Sequence, residues 1–263
     1  MVVRMPKFFI MSDIHGFYDE MKLALDDAGF DPNNENHWII GLGDYMDRGR
    51  QPQQAMDYLM SLPRKILVKG NHEQLLLDCI DRGDWLSHDY SNGTFNTILD
   101  LAPNAETFDV ACAVAYDKVK DFINSMVDYF ETKNYIFVHS WVPLIIEDDY
   151  PKYYTRDREY HFNPNWRSST EKEWDEARWG NPFEIAEQGL NQTDKTIVFG
   201  HWHSSTGWAK AEGRSEFGED AKFEPYYGDG FISIDACTAH SGKVNVLVLE
   251  DDFLEEQLWK QES

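Results

Sequence analysis

Seven short apolar runs punctuate this chain: Phe8–Met11, His37–Leu42, Lys65–Val68, Tyr135–Val138, Thr196–Phe199, Phe231–Ile234 and Val244–Leu249. Each is four to six residues long and rich in β-branched or aromatic side chains. Such runs suit strands buried on both faces rather than helices. Five of them end directly in polar residues: Ser12-Asp13-Ile14-His15-Gly16, Gly43-Asp44-Tyr45-Met46-Asp47-Arg48-Gly49, Gly70-Asn71-His72-Glu73, His139-Ser140, and Gly200-His201-Trp202-His203. A charge at the mouth of a buried strand is costly unless it is partnered. In open α/β sheets the carboxyl ends of the strands are where sites assemble.

Helical patterns lie between the runs, over Phe17–Ala28, Gln53–Leu62, Glu73–Asp81 and a long stretch from Ala105 to Phe130. The alternation of strand and helix predicts βαβ units and a parallel sheet. The 263 residues suffice for a sizeable core and are read as one domain over 1–263. Two irregular excursions interrupt it, at about 141–190 and 204–229. The first is rich in Trp and Tyr, which are expected to pack rather than to bind. The tail Asp251–Ser263 reads as a short amphipathic helix. The formal net charge of −23 excludes long nucleic acids and anionic membranes as partners. An anionic substrate would therefore need a locally positive well. Three scattered cysteines, no membrane-length apolar run and no signal-peptide pattern point to a reducing, cytoplasmic setting.

The motif residues share one chemistry. Asp13 and His15 are two apart, as are His201 and His203, so an extended chain points each pair to one side. Imidazoles, carboxylates and one carboxamide suit a divalent ion such as Mn, Fe or Zn, and the absence of cysteine argues against a structural zinc site. Singly, each residue has a plain structural reading: Asp44 or Asn71 as a helix cap, a histidine as a half-buried hydrogen-bonding group, Arg48 as a clamp on Asp44 or Asp47. Five motifs at equivalent positions argue for one shared ligand. Their donors outnumber a mononuclear shell, so two ions are expected, with Asp44 as the bridging carboxylate. The turn Gly70–His72 opens a helix, whose free amides and dipole favour an anion.

Together, SDIHG, GDYMDRG, GNHE, FVHS and GHWH resemble the ordered motifs of the calcineurin-like metallophosphoesterases, and the GDxxDRG and GNHE forms resemble the phosphoprotein phosphatase branch. That branch includes bacterial and phage-type Ser/Thr phosphatases and diadenosine tetraphosphatases. The resemblance spans residues 12 to 203, and residues 232–250 look like the family's closing strands. It implies a four-layer α/β/β/α sandwich with two mixed sheets. It further implies two divalent ions, Mn foremost with Fe, Zn or Co as alternatives. Asp13 and His15 would bind the first and Asp44 both; Asn71, His139 and His201 would bind the second. His203 replaces a proline of the branch and would complete the first ion's shell. Asp47 and His72 would form a dyad, and Arg48 would hold phosphate together with Asn71 and His72. A second phosphate arginine is expected at Arg178, with Arg167 as the runner-up. Trp141 follows His139-Ser140, so a bulky indole is expected near the site.

The implied reaction is hydrolysis of a phosphate monoester by hydroxide held between two ions, with His72 protonating the leaving oxygen. The expected substrate is a phosphorylated protein of the Ser/Thr type. The alternative is a small phosphorylated molecule, a dinucleotide polyphosphate cleaved as by an Ap4A hydrolase. A lesser alternative is a metal-binding interaction module without turnover.

Overall fold

A computed structural model describes residues 5–146 and 160–254. The strands and helices run in the order β1 (Lys7–Met11), α1 (Tyr18–Asp27), β2 (His37–Gly41), α2 (Pro52–Ser61), β3 (Lys65–Leu67), α3 (Asn71–Arg82), α4 (Ser87–Asn92), α5 (Thr94–Leu101), α6 (Phe108–Asn124), β4 (Phe130–Glu131), β5 (Tyr135–Phe137), β6 (Ile145–Ile146), β7 (Tyr160–His161), α7 (Glu171–Arg178), α8 (Pro182–Glu187), β8 (Thr196–Phe199), α9 (Ser204–Glu212), β9 (Tyr226–Gly228), β10 (Phe231–Ser233), α10 (Thr238–Ser241) and β11 (Leu247–Glu250). All seven apolar runs become strands, within a few residues of the expected ends.

Two mixed sheets form. The first has the order β11-β1-β2-β3, parallel except for β11; the second has the order β4-β5-β8-β10-β9, with β5, β8 and β10 parallel and antiparallel strands at both edges. Alternation along each strand assigns its two faces. Phe8 and Ile10 of β1 meet Phe137 of β5 and Val198 of β8 in an apolar layer between the sheets. Phe9 and Met11 point the other way, into a core shared with α1, α2, α3, α5 and α6. Ile136, Ile197 and Phe199 turn from the second sheet toward Trp166, Trp174, Phe183 and Ile185. Three apolar interfaces therefore separate four layers, the α/β/β/α sandwich expected from the sequence.

Some expectations change. The long helix ends at Asn124 rather than running to Phe130. Val127 instead pairs with Val68 beside β3, and Phe130 enters the second sheet. Here pairing to existing strands overrides local helical pattern. The first excursion is partly ordered: β6 pairs β7, and α7 and α8 build the outer layer. Trp141, Trp166 and Trp174 are buried in its core, as the packing reading expects. Residues 204–229 open with the helix α9 and close with β9. Residues 147–159 of the first excursion and most of the expected tail helix lie outside the described residues. Among the described residues no helix is long and apolar enough to cross a membrane, and the three cysteines are free thiols.

Phe137 is fully buried between the two sheets. Phe137→Ala should lower the unfolding free energy by about 3–5 kcal/mol in urea titration. A loss under about 1 kcal/mol would show that the inter-sheet layer is not a packed core.

Candidate metal centre

The polar groups that end β1, β2, β3, β5 and β8 converge on one buried carboxylate. Asp44 is 2% exposed. Its Oδ2 lies 3.7 Å from His15 Nε2 and 3.8 Å from His72 Nε2, and its Oδ1 lies 3.4 Å from His139 Nε2. His15, Asp44 and His72 form one group of potential ligand atoms; Asp44, His139 and His201 form a second. The same carboxylate thus belongs to both.

The backbone bends sharply to achieve this. Asp13 (φ 49°), His15 (45°), Asp44 (55°), Asp47 (72°), Arg48 (59°) and His201 (63°) all adopt the left-handed region. That conformation costs on the order of 1–3 kcal/mol for each non-glycine residue and clusters at functional sites. Close approach of the loops also demands glycine. A Cβ on Gly43 would stand 2.6 Å from the Gly70 α-carbon, and one on Gly200 would collide with Asp13 and Ser12.

Glu73 ties the β2 and β3 loops together. Its carboxylate accepts the amides of Asp44 (2.9 Å), Tyr45 (2.9 Å) and Gly70 (2.8 Å), and it is fully buried. Burial and the neighbouring Asp44 push its pKa up to about 7, against the three amide bonds. Two further bonds join the sheets: the His201 amide donates to Asp13 Oδ2 at 2.9 Å, and His139 Nδ1 donates to the Leu42 carbonyl at 2.6 Å.

The histidines are aimed by their Nδ1 atoms. His15 Nδ1 donates to the Met46 carbonyl at 2.9 Å, which leaves Nε2 buried with no hydrogen-bond partner. That Nε2 faces Asp13 Oδ1 at 4.0 Å and Asp44 Oδ2 at 3.7 Å, too far for hydrogen bonds. His139 Nε2 lies 2.8 Å from Asn71 Oδ1 and 3.4 Å from Asp44 Oδ1. The unpartnered His15 Nε2, facing two carboxylate oxygens beyond hydrogen-bond reach, suits a cation between them. A backbone carbonyl holding the far nitrogen is the usual support of a metal-bound imidazole.

Electrostatics agree. Burial, with the Arg48 and His72 charges, holds His15 well below the ordinary histidine range; burial and His139 lower His201 to about 3. Both rings are neutral donors. Asp44 is penalised by burial, yet the imidazoles around it, His139 and His72 foremost, hold it below the usual carboxylate range. Burial and Asp235 raise Asp13 well above it, so two carboxyl groups await a positive charge there. The nitrogen and oxygen donors on both sides of Asp44 therefore fit divalent ions.

Beside this cluster lies the Asp47–His72 pair. His72 Nδ1 meets Asp47 Oδ2 at 2.7 Å, and the same carboxylate accepts the hydroxyls of Thr94 (2.7 Å) and Thr97 (3.0 Å). Burial alone would lower the His72 pKa, but Asp44 and Asp47 outweigh it and lift it to about 9. Arg48 Nη2 sits 3.3 Å from His72 Nε2, with Arg48 itself exposed.

Four expected residues stand elsewhere. His203 joins neither ligand group; its Nδ1 faces Glu216 Oε1 at 3.0 Å and its ring packs against Phe217. Arg178 does not reach the cluster: it is buried and neutralised by Asp128 and by Glu171, the latter at 3.2 Å. Arg167, the runner-up, is held by both oxygens of Glu131. Trp141 does not wall the site, since it packs against Phe199 in the outer core; Trp179 instead sets its ring edge-on to His201, 6.4 Å away. Sequence reasoning missed Glu73, Thr94, Thr97 and Asp235. Only Glu73 had a signal, as the third residue of a helix that opens on Gly70.

The calcineurin-like phosphoesterase family model matches residues 6–241, and the chain belongs to that family. Among curated relatives, a symmetrical bis(5'-nucleosyl)-tetraphosphatase of Glaesserella parasuis serovar 5 (strain SH0165) is 36% identical over 73 residues, 27% of this chain and 26% of that protein. The same-named protein of Dechloromonas aromatica (strain RCB) is 30% identical over 102 residues, 38% of this chain and 36% of its own length. The chain thus spans only about a quarter to a third of the curated relatives it matches. A solved structure provisionally named a diadenosine tetraphosphatase aligns with TM-score 0.54 at 16% identity, covering 97% of this chain and 96% of that one. A cold-active protein-tyrosine phosphatase of a psychrophilic Shewanella species aligns with TM-score 0.55 at 14% identity, covering 94% and 76%. At these identities the structural likeness is one of fold.

Glu73→Ala would leave the buried amides of Asp44, Tyr45 and Gly70 unpaired. At about 1–3 kcal/mol each, the cation-free variant should lose at least about 3 kcal/mol of unfolding free energy, measured in urea. A loss below about 1 kcal/mol would remove Glu73 as the clamp of the two loops.

Proposed function

We propose that the chain hydrolyses phosphoric esters at a site built for two divalent cations and one phosphoryl group. The observation that carries this reading is the division of Asp44 between two imidazole groups, with the Arg48 guanidinium beside it. Asp13, His15 and Asp44 would hold one cation; Asp44, Asn71, His139 and His201 would hold the other. Manganese is the proposed ion, with iron, zinc and cobalt compatible with the same donors. When bound, such ions neutralise phosphoryl oxygens and lower the pKa of water.

The chain's own residues do the rest. Arg48 presents parallel N–H donors to two phosphoryl oxygens, a geometry that lysine lacks. Asp47 accepts the Nδ1 proton of His72 and, with Asp44, favours the imidazolium, whose Nε2 then carries the transferable proton. His72 Nε2, next to Arg48, gives that proton to the departing oxygen. Thr94 and Thr97 hold Asp47 in place through its two oxygens, so the acid does not drift from the phosphoryl group. The cluster supplies the positive well that a chain of net charge −23 otherwise lacks.

For the leaving group, a nucleoside polyphosphate is better supported than a phosphoprotein. The matched curated relatives are named symmetrical bis(5'-nucleosyl)-tetraphosphatases. The phosphoserine or phosphothreonine reading is left with a likeness of fold.

Metal-stripped protein should leave p-nitrophenyl phosphate intact, and added Mn²⁺ should restore turnover. Asp44→Asn should then lose more than the about 10–100-fold that removing a mere supporting partner of a metal ligand costs. Turnover without metal, or full activity in the variant, would contradict the reading. Incubation with Ap4A and with a phosphopeptide, read as ADP or phosphate release, separates the two leaving groups. His72→Ala should slow an alkyl phosphate by about 10²–10⁴-fold and an aryl phosphate much less, because a phenolate leaves without help. Equal losses on both would take the acid role from His72.

A further inference from the structure

The α4–α5 segment presses on the phosphate-facing loop. The Arg48 amide donates to the Asn92 carbonyl at 3.2 Å, and a Cβ on Gly93 would collide with the Arg48 backbone. Thr94 and Thr97 of the same segment grip Asp47. Aromatic residues bracket this contact in the chain and meet in space. The Tyr90 and Phe95 rings are 5.9 Å apart, Trp85 lies 5.3 Å from Phe95 and 6.1 Å from Tyr90, and Phe95 stacks on Phe108 at 4.9 Å and 9°. The base of this cluster is fixed by that stack, while its top is open: Trp85 is 44% exposed and Tyr90 61%. Two large aromatic side chains are thus left open to water on the segment whose Asn92 carbonyl and Thr94 and Thr97 hydroxyls hold Arg48 and Asp47.

We infer that Trp85 and Tyr90 form a stacking surface for the nucleobase of a nucleoside phosphate whose phosphoryl group sits at Arg48. This rests on the phosphoesterase reading above and adds to it the residues that would select the leaving group. A nucleobase has a broad π-face and needs only a planar platform. A peptide could not add to this segment as an extra strand, because the segment is helical and has no unpaired strand edge. Arg82, at the end of α3, is paired with the buried Asp89. The platform therefore recognises an uncharged ring, and the charge of the ligand falls to Arg48 and the buried cluster.

The test compares adenosine 5'-monophosphate with ribose 5-phosphate, binding to Mn²⁺-loaded full-length protein by calorimetry. The two share the phosphate and sugar and differ in the base. The nucleotide should bind about ten-fold tighter, the scale of one base–aromatic stack. In Trp85→Ala/Tyr90→Ala the difference should disappear, while Tyr90→Phe, which keeps the ring, should retain it; matched melting temperatures exclude misfolding. Equal affinities in the unaltered protein, or a preference that survives the double substitution, would overturn the inference while leaving the phosphate site intact. Binding of neither compound would overturn the phosphate site as well.

Discussion

A single buried carboxylate governs this molecule. Asp44 lies just beyond the end of β2 among four imidazoles; one oxygen faces His15 and His72 and the other His139. An ionised carboxylate taken out of water demands compensation. Its neighbours supply part of that compensation, and the unpartnered Nε2 of His15 faces one of its oxygens. Glu73 makes the arrangement rigid by holding the Asp44 amide and the Gly70 amide on one oxygen. The left-handed backbones at Asp13, His15, Asp44 and His201 follow from the same demand. Each turns a side chain inward at a strand end where an ordinary turn would send it elsewhere.

The four layers exist in a form that serves this point. The parallel strands of both sheets end on the same side, so loops from β1, β2 and β3 meet loops from β5 and β8. The bonds from His201 to Asp13 and from His139 to Leu42 cross between the sheets at that place. The dry layer of Phe8, Ile10, Phe137 and Val198 keeps the sheets in register beneath it. Sheet packing and site geometry are thus one problem, and a shift between the sheets would separate the two halves of the cluster. The outer segments have other tasks. The α4–α5 segment braces Asp47 and Arg48, and α7–α8 closes the second sheet.

Much of this was legible in the sequence because strand ends are local. A run such as Phe8–Met11 followed by Asp13 and His15 states both the strand and the side on which its donors emerge. The same holds for Asp44, Asn71, His72, His139 and His201. What escaped is what tertiary packing decides. Glu73, Thr94 and Thr97 act by hydrogen bonds to loops that are distant in the chain. Arg178 carries the right charge in a plausible place, yet Asp128 and Glu171 neutralise it, and that pairing is invisible before folding. His203 follows the spacing of a ligand pair, yet its ring packs against Phe217 and it remains outside both ligand groups. The helix expected to reach Phe130 was cut short because Val127 found a strand partner in Val68.

The most direct test of the central claim is the number of ions the folded chain binds. Metal-free protein would be titrated with Mn²⁺ and the bound metal measured by elemental analysis after exhaustive dialysis, beside Asp44→Asn. A carboxylate shared between two cation sites predicts two ions per chain, and a weakening of both in the variant. One ion per chain, or loss of only one when Asp44 is replaced, would contradict the sharing on which the whole arrangement depends.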